Sequence, residues 1–364
     1  MSINDLLRDP LKGSSSYVAG AAITDMSDPE ISKLNANENM LGPSPMAIEA
    51  MAAELKNGYL YPMPVFDALK TKLADFYKLP KDNFTLFNGS GAGINAIADA
   101  FLNPGDEMVI SSPTYMAYAP LPAHYGAKIV EVSSIDDLYT DLDAILEGIT
   151  DKTKLIFICN PNNPTGTLLD NDKLDAFMAK VPKHVITVID EAYFHWIDIP
   201  YESAFRFVNS MNNVIVLRTF SKIYGMAGIR CGFAAANAEI TAALYTASNI
   251  FYSNRIAAAG AMAALDDEKH YTKVFNNNME QRNFMTAEME KLGIDVVPSQ
   301  TSFIYFNAHC DGDKCIEFLK ERKVFIRPFP QPYLRVSIGL PWQNEAFLEA
   351  MKAFLVSEGK EIVA

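Results

Sequence analysis

Arg218-Thr219-Phe220-Ser221-Lys222-Ile223-Tyr224-Gly225-Met226-Ala227-Gly228-Ile229-Arg230 puts one lysine beside two hydroxyls, follows them with a Gly-x-x-Gly turn, and sets an arginine eight residues past the lysine. A lysine that attacks an aldehyde needs neighbours that neutralise an attached phosphate, and the same neighbours depress its pKa. Serine, threonine and arginine, together with the amides of a loop, make such a phosphate cradle. Taken alone, the stretch fits a surface lysine before a turn equally well. The segments upstream break the tie.

Val188-Ile189-Asp190-Glu191-Ala192-Tyr193 reads as an apolar strand ending in an acid. An aspartate at the carboxyl end of a buried parallel strand sits where open α/β sheets bind their ligands. Its charge would keep a pyridine nitrogen protonated, so that the ring absorbs the electrons of a substrate carbanion. Tyr193 follows three residues on, able to direct its hydroxyl at a phenolic oxygen of the same ring. Leu155-Ile156-Phe157-Ile158-Cys159-Asn160-Pro161-Asn162-Asn163-Pro164-Thr165-Gly166 is a second buried strand running into a Pro/Asn/Gly turn, with Asn163 as a partner for that oxygen. An aldehyde, a phosphate and a pyridine ring together describe pyridoxal 5′-phosphate (PLP), which its enzymes hold through a lysine. Alone, Asp190 also fits a helix cap or an ion-pair partner.

Six motifs run in one order along the chain: Asn35-Ala36-Asn37-Glu38-Asn39 with Gly42-Pro43-Ser44-Pro45, Tyr61-Pro62, Asn160 to Gly166, Asp190 to Tyr193, Ser221 to Gly232, and Leu334-Arg335-Val336. This set resembles fold-type I PLP enzymes of the class I/II aminotransferase family, most closely the histidinol-phosphate aminotransferase-like branch. The resemblance implies an α/β fold with a large domain on a mostly parallel seven-stranded sheet and a smaller α+β domain. It implies transamination between an amino acid, with glutamate and 2-oxoglutarate as one pair, and a second amino substrate such as histidinol phosphate. A homodimer with shared active sites is expected.

By the same resemblance Lys222, Asp190 and Tyr193 would be catalytic. Ser90, Gly91, Ala92, Thr219, Ser221 and Arg230 would hold the cofactor phosphate, Tyr115 would stack on the ring, and Asn163 would meet its phenolic oxygen. Tyr61 would reach the cofactor phosphate of the neighbouring subunit. Arg335 would clamp a substrate carboxylate, since its planar fork matches one bidentately. Arg327, Tyr17 and Asn37 would complete the substrate end. Several positions depart from the branch's usual pattern: Met40, Asn95, the short Pro328-Phe329-Pro330-Gln331-Pro332 turn, and His195-Trp196. The last two departures are expected to reshape the pocket, toward an aromatic amino acid for example. A PLP-dependent decarboxylase on the same fold shares most of these motifs, and a non-catalytic PLP-binding domain of a regulator is a further alternative.

With 364 residues, 49% of them apolar, the chain can bury a substantial core. The expected division is an N-terminal segment 1–44 on the small domain and the active-site rim, a large PLP-binding domain 45–265, and a small C-terminal domain 266–364. Apolar runs at 84–88, 107–111, 128–132, 154–159, 185–189, 213–217 and 231–235 alternate with helical patterns, as in a parallel sheet covered on both faces. A long helical segment at 238–265 precedes a charged helix at 266–292 and a run of short strands. A formal net charge of −13 argues against nucleic acid or an anionic membrane as partner. Residues 1–8 carry no signal-peptide pattern, and no run approaches the roughly 20 apolar residues of a membrane helix. His309, Cys310 and Cys315 fall short of a metal set, and four scattered cysteines fit a reducing cytoplasm.

Overall fold

In the computed structural model residues 6–8, 28–248 and 253–360 are described. A short strand, β1 (Ser32–Lys33), comes first. Each of the seven apolar runs then forms a strand within two residues of the expected ends: β2 (Phe84–Phe87), β3 (Glu107–Ser112), β4 (Lys128–Ser133), β5 (Thr153–Cys159), β6 (Ile186–Asp190), β7 (Val214–Thr219) and β8 (Gly232–Ala236). They pair in the order β2-β8-β7-β6-β5-β3-β4. Only β8 runs against its neighbours; every other pair is parallel.

Strand side chains alternate between faces, and here both faces are covered. Ile156, Ile158, Ile189, Val214 and Val216 enter one core. Leu155, Phe157, Val188, Ile215 and Leu217 enter the other. Continuous apolar runs are therefore what this sheet requires. Because β5, β6 and β7 are parallel neighbours, their last residues Cys159, Asp190 and Thr219 reach the same edge.

The segment expected as one helix at 238–265 is two, Ala238–Ala247 and Arg255–Asp266. Asn254 starts the second, its side-chain oxygen accepting the Ala257 N–H at 2.7 Å, and an asparagine N-cap of this kind opens a new helix rather than continuing an old one. The charged helix follows at Glu268–Lys291. Beyond it lie β9 (Asp295–Val296), β10 (Phe303–Asn307), β11 (Val324–Phe325), β12 (Arg327–Pro328) and β13 (Tyr333–Ser337). An antiparallel sheet of order β12-β13-β10-β9 packs under helices Gly312–Glu321 and Pro341–Ser357 around Leu34, Met285, Phe306, Leu319, Val336 and Phe347.

Residues 32–37 are sewn to this second sheet. β1 pairs with β11, and Leu34 accepts the Ser337 N–H at 2.8 Å. From there the chain crosses to the loop after Lys222. Gly225 has φ +66°, and a Cβ on it would overlap the Gly42 carbonyl. Only glycine lets the two loops meet so closely.

Candidate active site

The shared edge of β5, β6 and β7 opens on a cavity. Ser90, Gly91, Tyr115, Asn163, Asp190, Tyr193, Thr219, Ser221, Lys222 and Arg230 line it, all of them singled out by the sequence motifs. Cys159, Ala192 and Ala227 line it as well, and no motif marked those three for a site.

One end of the cavity consists of donors. The helix Ser90–Phe101 starts on Gly89, which has no side chain to cap the first amides. Those amides and the positive end of the helix dipole attract an anion. Gly89 has φ +80°, and a Cβ there would overlap the Arg230 guanidinium, so this glycine is what lets Arg230 cross the helix start. Arg230 Nη1 donates to the Ala227 carbonyl at 2.7 Å and approaches Ser221 Oγ at 3.5 Å. Thr219 Oγ1 lies 2.9 Å from Ser221 Oγ. Asp190, at the end of β6, is the one carboxylate among the lining residues.

Asp190 is only 3% exposed. Its Oδ2 accepts the Tyr118 hydroxyl at 2.8 Å and its Oδ1 the Ala192 N–H at 3.0 Å. Burial raises its pKa to about 6, against the pull of those two hydrogen bonds. A protonated ring nitrogen is the cation such a carboxylate lacks. Tyr118 has no place in the motif reading, although it stands three residues after Tyr115 and packs edge-on to it at 5.3 Å. The Tyr-x-x-Tyr spacing was the available signal.

Lys222 Nζ lies 3.2 Å from the Asn37 carbonyl and 5.4 Å from the centre of the Tyr193 ring. Burial first, then the Arg335 and Arg230 charges, lower its pKa to about 8. Arg335 is buried on β13 and donates from Nη1 to Asn163 Oδ1 at 2.5 Å. A guanidinium has no acceptor, so Asn163 keeps its NH2 group as the donor for other partners. Arg327 stands directly across the β12–β13 ladder from Arg335, with Nη2 3.1 Å from Met116 Sδ. Ten of the expected site residues thus line one cavity that holds a basic group of donors, one acid and one amine, while Arg335 and Arg327 are not among its lining residues.

The family model for aminotransferase class I and II matches residues 29–351. The chain belongs to the class I and II aminotransferases. Over 93% of its length it is 38% identical to a histidinol-phosphate aminotransferase of Symbiobacterium thermophilum, of which it covers 96%. It is 35% identical to the one of Moorella thermoacetica, across 93% of this chain and 90% of that one. The solved histidinol-phosphate aminotransferase of Sinorhizobium meliloti in complex with pyridoxal-5′-phosphate superposes with a TM-score of 0.83 at 26% identity, covering 90% of this chain and 91% of that one. This aminotransferase works with PLP, and the cavity fits that group: donors without a carboxylate for a phosphate, a buried acid for the ring nitrogen, a neutral-prone lysine for the aldehyde.

Other expected site residues of the aminotransferase lie elsewhere. Ala92, the third residue of the helix, is half-buried and is not a lining residue. Asn37 is buried, its amide engaged by Tyr193 and Ser337 rather than open to the cavity. Tyr61 is 73% exposed on the single chain and is absent from the lining of this cavity, its carbonyl accepting from Arg255. Tyr17 lies outside the described residues. His195 and Trp196, expected to reshape the pocket, do not line it. His195 Nε2 faces Arg218 Nη1 at 3.2 Å and Tyr77 Oη at 3.4 Å, and Trp196 is buried in the first core. The arginine can only donate, so Nε2 accepts and the proton sits on Nδ1. Burial and the Arg218 charge hold this histidine well below its ordinary pKa.

The lowered Lys222 pKa has a kinetic consequence. The neutral amine attacks an aldehyde, and its fraction grows as pH rises through the folded-state pKa. With that pKa at about 8, about a tenth of Lys222 is neutral at pH 7, roughly two hundred times more than for an ordinary lysine near 10.4. The rate at which cofactor-free protein captures PLP, followed by absorbance, should rise with pH and level off above about 8. A rate that keeps climbing toward pH 10 would show an unperturbed lysine.

Proposed function

We propose that this aminotransferase exchanges the amino group between glutamate and histidinol phosphate. The observation that carries the reading is the Arg327–Arg335 pair, opposed in register on one face of a sheet next to the cavity residue Asn163. Two guanidiniums on one face suit a phosphate or a side-chain carboxylate by bidentate bonding, so one site serves both partners. The relatives' names support the phosphate substrate.

When bound, PLP supplies the electron sink that lets a substrate carbon–hydrogen bond break as a proton transfer. Lys222 anchors the cofactor aldehyde and, once released, takes that proton on Nζ and returns it, a task suited to an amine titrating near neutrality. Asp190 holds the ring nitrogen protonated. Tyr193 Oη and Asn163 Nδ2 donate to the phenolic oxygen, while Thr219, Ser221, Arg230 and the amides of Ser90 and Gly91 bind the phosphate. Tyr115 covers the ring. Tyr17, which lies outside the described residues, would bind the same substrate group as the arginines.

A second reading has a specific observation behind it. Tyr305 and Tyr333 stack at 4.7 Å, and Phe329, from the short proline-rich turn, lies 5.3 Å from the Arg335 guanidinium carbon. These rings favour a free aromatic amino acid as the alternative substrate. Histidinol phosphate added to the PLP-loaded enzyme should convert the cofactor's visible absorption to that of the amine form, and so should glutamate. Arg335→Lys should slow both conversions at least about tenfold, about 1.4 kcal/mol of barrier, because an ammonium cannot replace the fork. Conversion by phenylalanine or tyrosine but not by histidinol phosphate overturns the phosphate reading in favour of the aromatic one.

The working unit in this proposal is a cytoplasmic homodimer with shared sites. Tyr59, Leu60, Tyr61 and Met63 are exposed together on one stretch, an apolar surface that a second subunit would cover. Tyr61 would then act in the partner's site. Mixing inactive Lys222→Ala with Tyr61→Phe should regenerate one intact site per heterodimer and recover activity. A monomer in sedimentation, or no recovery after proven subunit exchange, contradicts the shared site.

A further inference from the structure

Ser337 lies two residues beyond Arg335 on β13, and its side chain meets Asn37 twice. Ser337 Oγ accepts the Asn37 backbone N–H at 2.8 Å and lies 3.1 Å from Asn37 Oδ1. A serine hydroxyl has one hydrogen. Ser337 is buried, so leaving that hydrogen unpaired would cost free energy, and Oδ1 is the acceptor within its reach. The network thereby fixes which way the Asn37 amide points: its oxygen faces Ser337 and its NH2 faces Tyr193 Oη, at 2.9 Å. An NH2 group only donates, so Tyr193 accepts there. The tyrosine's own hydrogen then has no protein acceptor among the described residues and is left for the cavity that Tyr193 lines. The reverse amide orientation would present Oδ1 to Tyr193 and draw that hydrogen into the protein.

We infer that Ser337 is a positioning residue for the cofactor: acting through Asn37, it sets Tyr193 as a hydrogen-bond donor into the cavity rather than an acceptor. This rests on the reading of Tyr193 as partner of the PLP phenolic oxygen and deepens it. The arrangement joins residues 300 positions apart, at a place where Leu34 also accepts the Ser337 N–H and Asn35 accepts from Arg335 at 3.3 Å. The strand that carries the substrate arginine thus also governs the polarity of the group beside the cofactor ring. The titratable groups facing Tyr193 are Arg335 on β13, Cys159 on β5, Asp190 on β6 and Lys222 after β7. None of them is altered when only Ser337 is changed.

The test is a pH titration of the visible absorption of PLP bound to the enzyme, with no substrate present. A donor on the phenolic oxygen stabilises its negative charge and makes the chromophore more acidic. Tyr193→Phe should raise the titration midpoint by roughly one unit, a tenfold change in proton affinity. Ser337→Ala should raise it in the same direction, Ser337→Thr should leave it at the wild-type value, and Ser337→Ala added to Tyr193→Phe should shift it no further. Should Ser337→Ala not fold, the near-isosteric Ser337→Cys, a weak donor, should give a smaller shift of the same sign. A midpoint moved by Tyr193→Phe but untouched by Ser337→Ala or Ser337→Cys overturns the role of Ser337. A midpoint that Tyr193→Phe leaves unmoved instead overturns the underlying reading of Tyr193.

Discussion

One buried ion pair ties together two of the three strands on which the site is built. Arg218, the next-to-last residue of β7, is 2% exposed and donates from Nε and Nη2 to Glu191 Oε2 at 2.9 and 2.7 Å. Glu191 directly follows Asp190, and its own N–H bonds to the Leu217 carbonyl at 2.9 Å. The guanidinium lies 4.0 Å from the Phe194 ring centre and 4.4 Å from that of Phe205, with neutral His195 as a further acceptor. Removing one member would leave an uncompensated buried charge. While the pair stands, β6 and β7 end in fixed register, with Asp190 on one side and Thr219, Ser221 and Lys222 on the other. We read its contribution as positional: buried pairs are weak net stabilisers, but this one joins the strand ends that carry the acid and lead to the lysine.

The same economy of direction recurs within the cavity. Three polar groups near the cofactor position each have a second partner that directs them. Tyr118 and Ala192 occupy Asp190 from behind, Arg335 takes the oxygen of Asn163, and Asn37 donates to Tyr193. Preorganised groups of this kind need no rearrangement when charge develops on a ligand, which is where enzymes gain most of their electrostatic catalysis. The chain carries a net charge of −13, yet it gathers Arg230, Lys222, Arg335 and Arg327 around this region. Local arrangement, rather than overall charge, sets what the site attracts.

Much of this was legible in the residues alone. The seven strands were readable because a sheet covered on both faces demands continuous apolar runs, and the lysine, acid and arginine stood at motif spacings. Groups brought together only by folding were not. Tyr118 meets Asp190 across 72 positions, with only its spacing from Tyr115 as a signal, and Ser337 meets Asn37 across 300, a contact no local pattern announces. His195 and Trp196 looked like pocket residues because they follow the acid closely, but the turn after β6 carries them away from the cavity. The apolar pattern through 238–265 concealed a second helix start, capped by Asn254. Tyr61 is exposed on the single chain, and a role in a second subunit is a property of an assembly that one sequence does not display.

The account stands on Lys222 being the residue that holds PLP. Borohydride reduction of the PLP-loaded enzyme followed by peptide mass mapping tests this most directly. One pyridoxyl group per chain, carried on the peptide containing Lys222, is the predicted result. A label on any other lysine, or no label from a protein that retains its cofactor, would contradict it.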